Sequence, residues 1–222
     1  MSEISERTFF KFTNFFSDEI HQKIHTDLEN SLNWGLIQNS GANSYPETVP
    51  VPMKNSNKTK SQYNPKFWIN ILGGTQNMIN NLDKHNSYYE VDLFKIIKNK
   101  LKLENNFEFF PYHIYANGQT VGQTGNWHQD SSLDSDWTLL YYVNTEWDSP
   151  KWGGSTYFCD YEKKDPIVHL YKPNSAILFK SDIWHYADPP SLQSDIFRIT
   201  LAYKLRLYLK DTFNYFEKIV SN

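Results

Sequence analysis

Between Phe107 and Leu209 the sequence is a succession of short aromatic and β-branched runs, and this feature constrains the fold most. The runs are FEFFPYHIYANG, WTLLYYVNTEW, GGSTYFCDY, PIVHLYK, SAILFKSDIWHY and FRITLAYKLRLYL. Gly, Pro, Asn and Asp separate them, and no helical pattern intervenes. Such a series is typical of a β-sandwich or barrel. A content of 15 Tyr, 15 Phe and 7 Trp fits a β-rich fold with large side chains in a core or pocket.

The first half of the chain predicts two helices and a long loop. A Ser-Asp-Glu start, followed by apolar residues at every fourth position, predicts a helix over residues 17–32. Ser87 and Glu90 have the spacing of a capping box, and the apolar positions that follow are Val91, Phe94, Ile97 and Leu101. Residues 38–65 carry Pro, Asn, Ser and Gly without periodicity, which predicts a loop or a lid.

The length of the chain limits the number of domains. At 222 residues it is long enough for one well-buried core and short for two full domains. We therefore expect a single domain over residues 1–222, with helical support and the long loop in residues 1–106 and the β core in residues 107–210. The predicted fold class is mainly β, a barrel supported by N-terminal helices.

The charge and the cysteine content limit the classes of binding partner and the cellular compartment that we expect for this chain. The net charge is −3 with both signs interspersed, which gives no basic stripe for nucleic acid or a membrane surface. Cys159 is the single cysteine, so no intramolecular disulfide forms, which favours a reducing compartment. Neither a secretory signal pattern nor an apolar window of membrane-spanning length is evident. We expect a soluble, cytoplasmic protein.

His128 and Asp130, in the stretch NWHQDSS, are the first candidate site residues. Residues i and i+2 of a strand point to the same face, so an imidazole and a carboxylate at this spacing can meet one metal ion. The spacing also arises by chance, and a polar strand end facing water explains it as well. The pair alone leaves both interpretations open. Strand parity predicts that Gln129 faces away from the metal.

A metal site needs a third ligand, and two downstream histidines differ in context. His169 has apolar neighbours in PIVHLYK, which favours a packed or exposed strand residue. His185 ends SAILFKSDIWHY before a Pro-Pro turn, which predicts a position at a barrel mouth. Two histidines and one carboxylate on one face leave coordination positions open, as in the facial triad of non-haem Fe(II) oxygenases. Closed zinc sites are usually cysteine-rich, unlike this chain.

Arg198 is the candidate binder of an anionic co-substrate. It lies 13 residues after His185 in FRITLAYKL, a largely apolar strand in which an unpaired charge is costly. Thr200 shares its strand face, so a guanidinium and a hydroxyl can clamp one carboxylate together. The alternative is a salt bridge between Arg198 and a structural Asp or Glu.

Six segments occur in an order that resembles the 2-oxoglutarate- and Fe(II)-dependent oxygenases, most closely their prolyl-4-hydroxylase-like branch. They are YANG, HQD, LLYYVN, WGGSTYF, PNSAILFKSDIWHYADPP and FRITL. The resemblance covers residues 107–207, and the preceding half in outline. It implies a double-stranded β-helix, or jelly-roll, barrel around an iron site. One departure is the segment YADPPSLQSDIF before Arg198, because many relatives have a shorter stretch that contains a Gly.

The resemblance assigns the iron ligands and the co-substrate anchor residue by residue. His128, Asp130 and His185 correspond to the Fe(II) ligands. Arg198 corresponds to the residue that binds the distal carboxylate of 2-oxoglutarate, with Thr200 beside it. Dioxygen is the second co-substrate, and ascorbate is a further candidate cofactor.

Two tyrosines also match positions of the family. Tyr142, in YYVN, corresponds to a tyrosine that contacts the distal carboxylate, provided that Thr138, Leu140 and Tyr142 face inward. Tyr115, in YANG, corresponds to a tyrosine near the other end of the co-substrate, although an aromatic residue filling the core explains it equally. Gly153-Gly154 is better explained as a turn than as part of the catalytic machinery.

The expected activity is hydroxylation of a C–H bond by an Fe(II)- and 2-oxoglutarate-dependent dioxygenase. The prolyl-hydroxylase-like resemblance favours a peptidyl residue as substrate. A small-molecule hydroxylase and a nucleobase demethylase use the same kind of site, and the net charge of −3 argues against the second. A non-catalytic barrel acting as a binding module, and a cupin-type metalloprotein that does not use 2-oxoglutarate, are further alternatives.

Overall fold

The computed structural model describes residues 9–38, 66–73, 88–101, 107–123, 125, 127–159 and 166–209. The predicted loop or lid lies outside these ranges except for its first residue, Gln38. Ser87, the start of the predicted capping box, lies outside them as well.

A seven-stranded antiparallel sheet forms the larger layer, in the order β1-β8-β5-β10-β4-β3-β2. Its strands are β1 (Phe9–Phe12), β2 (Gly35–Gln38), β3 (Lys66–Gly73), β4 (Phe107–Gln119), β5 (Asp136–Tyr142), β8 (Ala176–Lys180) and β10 (Arg198–Leu209). The pairing of the two longest strands runs from Arg198 opposite Gln119 to Leu209 opposite Phe107. The pair β4 and β10 is therefore the longest paired segment of the sheet.

A three-stranded sheet in the order β7-β6-β9 packs on the larger one. Its strands are β6 (Thr156–Phe158), β7 (Ile167–His169) and β9 (His185–Ala187). The rings of Phe158 and Phe179 meet between the two sheets with their centroids 4.9 Å apart. The two layers therefore enclose a core, which opens into a pocket lined by both polar and aromatic side chains.

Strand parity divides β5 and β10 between two environments, since successive side chains point to opposite faces. The odd-numbered residues of these strands belong to the main core under the helices: Leu139, Tyr141, Ile199, Leu201, Tyr203 and Leu205. The even-numbered residues of β10 from Arg198 to Lys204 line the pocket, together with Thr138 and Leu140 of β5. The even face of β5 is thus turned inward, as the assignment of Tyr142 required.

The first predicted helix is present as α1 (Asp18–Glu29), which buries His21, Ile24 and Leu28. The second begins with a π-helical turn (Tyr88–Leu93) and continues as α2 (Phe94–Leu101). A π-helical turn contains more residues than an α-helical turn, so the α-helical spacing does not hold within it. Here Tyr89 and Leu93, and not Val91, face the core. Leu93 is fully buried, whereas Val91 is 62% exposed, so the predicted placement of Val91 was wrong. A short helix, α3 (Ser149–Trp152), precedes the Gly-Gly turn.

The predicted mainly β architecture with supporting helices is confirmed. The description of residues 1–106 as helical support was incomplete, because β1, β2 and β3 all join the large sheet. A sheet edge offers unpaired N–H and C=O groups to any extended segment, and the short β1 and β2 lack a long alternating pattern in the sequence. None of the described helices has the length and apolar character to cross a membrane.

Candidate metal centre and co-substrate pocket

His128 and His185 are joined by an isolated antiparallel bridge at the open edge of the small sheet. Each donates its main-chain N–H to the carbonyl of the other, at 3.0 and 2.9 Å. Residues that are directly opposite in such a pair project their side chains from the same side. The two rings are accordingly neighbours, with centroids 4.4 Å apart.

Asp130 completes a group of three side chains of the types that ligate metal ions. One ligand atom from each of His128, Asp130 and His185 lies within 4.8 Å of the other two. His128 Nε2 is 3.5 Å from Asp130 Oδ1, and His185 Nε2 is 3.5 Å from Asp130 Oδ2. The main-chain N–H of Asp130 donates to the carbonyl of Ser181 at 2.8 Å, which ties the His-x-Asp segment to the end of β8.

The other nitrogen of His185, Nδ1, lies 2.8 Å from the carbonyl of Ile183. This contact requires the proton on Nδ1 and leaves the Nε2 lone pair directed at the group. Burial lowers the pKa of His185 to about 3, against an opposing influence of Asp130. His185 therefore faces Asp130 as a neutral imidazole, which is the form that binds metal ions.

The carboxylate of Asp130 is ionised although its side chain is 6% exposed. Burial alone would raise its pKa, but the positive charge of Lys204, with help from His185 and His128, holds that pKa well below its usual range. Lys204 Nζ forms an ion pair with Oδ2, and Thr138 Oγ1 donates to the same oxygen at 2.7 Å. The side chain of Gln129, a residue that also lines the pocket, donates to the carbonyl of Asp182, and its predicted direction away from the metal stays a prediction.

His128, Asp130 and His185 line a pocket of about 350 Å³ between the two sheets. Its walls come from β3, β4, β5, β6, β8, β9 and β10 and from the segment that carries His128 and Asp130, so regions far apart in the sequence share it. The predicted site residues that line it are Tyr115, His128, Asp130, His185, Arg198 and Thr200. A 2-oxoglutarate molecule is small enough for such a volume.

Arg198 is fully buried at one end of this pocket. Its Nε donates to the carbonyl of Gly154 at 2.8 Å, and its Nη1 donates to Oε1 of Gln119 at 2.6 Å. Its Nη2 is buried and has no hydrogen-bond partner among the residues that the structure describes. Both acceptors are neutral, so these contacts do not bear out a salt bridge with a structural carboxylate. A buried guanidinium with a spare N–H suits an anionic ligand.

Tyr115 lines the pocket, whereas Tyr142 is buried and is not among the lining residues. The Tyr142 hydroxyl donates to Thr156 Oγ1 at 2.7 Å, and burial raises its pKa to about 12, against the influence of Arg198. Tyr115 lies at the opposite end, with its ring 5.6 Å from Lys204 Nζ. Tyr142 is thus near the Arg198 end and Tyr115 near the Asp130 end. Their contacts with a co-substrate stay a prediction.

His169 is not part of the group of three. It lies on β7, and its ring packs against that of Tyr142 with centroids 5.1 Å apart. Burial lowers its pKa to about 4, with Lys11 acting in the same direction. The interpretation of His169 as a packed strand residue agrees with this position.

The donor set itself fits Fe(II). Two imidazoles and one carboxylate are the facial triad typical of non-haem iron oxygenases, a ligand set that leaves coordination positions open. The spare N–H of Arg198 fits a carboxylate at the other end. Residues 110–204 match the family model described as the 2OG-Fe(II) oxygenase superfamily. The chain carries a 2OG-Fe(II) oxygenase domain.

Several solved structures share the fold of this oxygenase at low sequence identity. An oxidoreductase of the 2OG-Fe(II) oxygenase family from Burkholderia pseudomallei is 11% identical, with a TM-score of 0.60 over 92% of this chain and 88% of that one. A prolyl hydroxylase from Trichoplax adhaerens, in complex with a hypoxia inducible factor peptide fragment, is 16% identical, with a TM-score of 0.57 over 92% and 86%. A viral collagen prolyl hydroxylase from Paramecium Bursaria Chlorella virus-1, in a 2OG complex, is 13% identical, with a TM-score of 0.52 over 92% and 99%.

These comparisons confirm the predicted superfamily, the jelly-roll fold class and the dioxygenase reaction class of the domain. They also confirm Fe(II), 2-oxoglutarate and O₂ as its cofactor and co-substrates. No curated relative matches the chain.

Sequence reasoning missed several pocket residues of the oxygenase. Lys204 and Thr138 contact Asp130, and Gln119 contacts Arg198. Lys204 could have been found, because it shares the parity of Arg198 and Thr200 on one strand. Phe67 and Ile69 of β3 also line the pocket, and no local signal connected that strand with the site.

Proposed function

We propose that this chain hydroxylates a C–H bond with His128, Asp130 and His185 as the Fe(II) ligands and Arg198 as the anchor of 2-oxoglutarate. The observation that carries the proposal is the approach of the three ligand atoms to within 4.8 Å of one another inside a pocket that ends at a buried arginine. With Fe(II) bound, the chemistry supplied is the conversion of C–H to C–OH as 2-oxoglutarate and O₂ become succinate and CO₂.

The protein residues orient and shield the reactants. The Nη2 of Arg198 donates to the distal carboxylate of 2-oxoglutarate, and Thr200 adds its hydroxyl on the same strand face. Tyr142 holds the wall beside Arg198 through Thr156, and Tyr115 closes the end near Asp130. Apolar walls from Phe179 and Leu140 keep the co-substrate out of bulk water.

The proposed substrate is a peptidyl residue, with proline as the first candidate. The fold is shared with prolyl hydroxylases, one of which was solved with a peptide fragment bound. The net charge of −3 makes a polynucleotide a poor partner. Residues 39–65 of the predicted loop or lid lie outside the described ranges and add no support. A role for ascorbate and a cytoplasmic location stay predictions.

The decisive experiment is a succinate assay with Fe(II), 2-oxoglutarate and O₂, run over proline-containing peptides, free amino acids and methylated oligonucleotides. We expect slow succinate production without substrate and a stimulation of at least about tenfold by a peptide, because substrate binding couples decarboxylation to hydroxylation. Mass spectrometry of the stimulating peptide should show a gain of one oxygen atom.

Asp130→Ala should abolish succinate production, since it removes a ligand. Asp134→Ala is the matched control, because its carboxylate lies four residues on with 96% of the side chain exposed. Stimulation by a free amino acid alone would replace the peptidyl proposal by small-molecule hydroxylation. An intact rate in Asp130→Ala would contradict the iron assignment.

A further inference from the structure

Lys204 brings a second basic side chain into the pocket, six residues beyond Arg198 on the same face of β10. It is 7% exposed, so its ammonium group is removed from bulk water. The iron and co-substrate roles proposed above assign it nothing. A buried cation with no assigned role in a reaction pocket calls for a physical explanation, because burying a charge is costly unless it is paired.

The partner of Lys204 is Asp130, one of the three candidate metal ligands. Lys204 Nζ and the hydroxyl of Thr138 both contact Oδ2 of this carboxylate, and the ammonium lies 3.3 Å from that hydroxyl. The other oxygen, Oδ1, faces His128 Nε2 at 3.5 Å. Two donors therefore hold Oδ2, which also lies 3.5 Å from His185 Nε2, while Oδ1 faces the imidazole of His128.

Thr138 and Lys204 act on the carboxylate in opposite ways. The hydroxyl of Thr138 is neutral, and its Oγ1 also lies 3.0 Å from Ser181 Oγ, so it fixes the orientation of Asp130 without opposing a cation. The ammonium of Lys204 offsets the negative charge of the same carboxylate. It also repels any divalent cation bound a few ångströms away, and burial reduces the solvent screening of that repulsion.

We propose that Lys204 competes with the metal ion for the Asp130 carboxylate and so lowers the metal affinity of the site, while Thr138 positions the same carboxylate for binding. Both are positioning residues that act through Asp130. The inference rests on the proposed iron site. It predicts that removing a cation tightens metal binding and that removing a hydroxyl weakens it, and a purely structural role for both residues would not produce these opposite signs.

The test is a titration of the full chain with Mn(II), followed by electron paramagnetic resonance of the free ion and by calorimetry. We expect Lys204→Met to bind Mn(II) about tenfold or more tightly than the wild type, and Thr138→Val to bind about tenfold more weakly. Lys204→Arg keeps the charge and Thr138→Ser keeps the hydroxyl, so both should stay within about threefold of the wild type. Lys180→Met is the matched control, because it removes a lysine paired with Asp134 outside the pocket.

Thermal unfolding provides a second readout. Lys204→Met leaves Asp130 without its ammonium partner, so the variant should melt at a lower temperature and gain more from added Mn(II) than the wild type does. An affinity in Lys204→Met that equals or falls below the wild-type value overturns the proposal. So does a variant that stays unfolded with Mn(II) present, because Lys204 is then a counterion that a metal cannot replace. Absence of Mn(II) binding by the wild type overturns the iron site itself, and this inference with it.

Discussion

The main chain of Gly154 accepts a hydrogen bond from the side chain of Arg198 and is also packed closely against it. The Nε of Arg198 donates to the Gly154 carbonyl at 2.8 Å, and a Cβ at Gly154 would lie 3.2 Å from Cδ of Arg198. Gly154 has a φ of +75°, which allows its carbonyl to reach the guanidinium. The Gly153-Gly154 pair therefore forms a turn, as its sequence predicts, and also contacts the candidate co-substrate anchor.

Gly154→Ala should weaken 2-oxoglutarate binding and lower the stability of the fold. The added methyl group would lie 2.8 Å from Trp147 Cζ2 and would push against Arg198. Gly122→Ala is the matched control, because Gly122 has a similar φ of +78° but no atom within 4 Å of the added Cβ. Backbone strain is common to both variants, so the difference between them, measured by calorimetric titration with 2-oxoglutarate and by urea unfolding, isolates the steric contact. Equal losses in both would contradict a role for Gly154 in holding Arg198.

Arg198→Met should raise the Kd for 2-oxoglutarate by about 30-fold or more, since removing one partner of a buried charged contact costs roughly 2 kcal/mol or more. Mn(II) affinity should stay within about threefold of the wild type, because Arg198 makes no contact with the three metal-binding side chains. Arg206→Met removes a guanidinium from the same strand, where it pairs with Asp136 away from Arg198. This control should bind 2-oxoglutarate normally. Normal binding in Arg198→Met would exclude Arg198 as the anchor.

His128→Ala should abolish the visible charge-transfer band that we expect when Fe(II) and 2-oxoglutarate are added without oxygen. The variant removes one of two imidazoles from the facial triad, and two ligands hold the metal poorly. The spectrum is recorded anaerobically beside that of His169→Gln, whose imidazole lies outside the group of three and should be dispensable for the band. A band that survives His128→Ala would show that the metal binds elsewhere.

Folding stability should fall as the pH is lowered from 7 to 5, in part because of His169. Burial, together with Lys11, lowers the pKa of His169 from 6.5 to about 4. Between these pH values the unfolded chain binds a proton at His169 and the folded chain does not. The contribution of His169 to the free energy of unfolding is therefore fully present above pH 6.5 and is lost as the pH falls towards 4. Urea unfolding at both pH values should show a loss smaller by about 1 to 2 kcal/mol in His169→Gln than in the wild type. An identical pH dependence would mean that His169 titrates normally in the folded protein.

The local patterns were sufficient where a residue's role depends on its own strand or helix. The parity of β10 placed Arg198 and Thr200 on one face, because side-chain direction in a strand follows from sequence position alone. The four-residue spacing of apolar side chains predicted α1 for the same reason. The His-x-Asp spacing singled out His128 and Asp130, although they lie at an isolated bridge and a bend and not in a regular strand. The prediction failed for Val91, because this residue lies within the π-helical turn, where side chains do not follow the spacing of an α-helix.

Only the tertiary structure decided which distant segments meet. The bridge between His128 and His185 joins residues separated by more than 50 positions, and the pairing of β3 with β4 brings Phe67 and Ile69 to the pocket. The contact of Lys204 with Asp130 likewise depends on the register of β10 against β5 and on the course of the loop that carries the carboxylate. The sequence determined the side-chain types of this candidate site and the strand faces of β10. Long-range hydrogen bonding between strands, which no local pattern encodes, decided the distances between these side chains and which charged groups are paired.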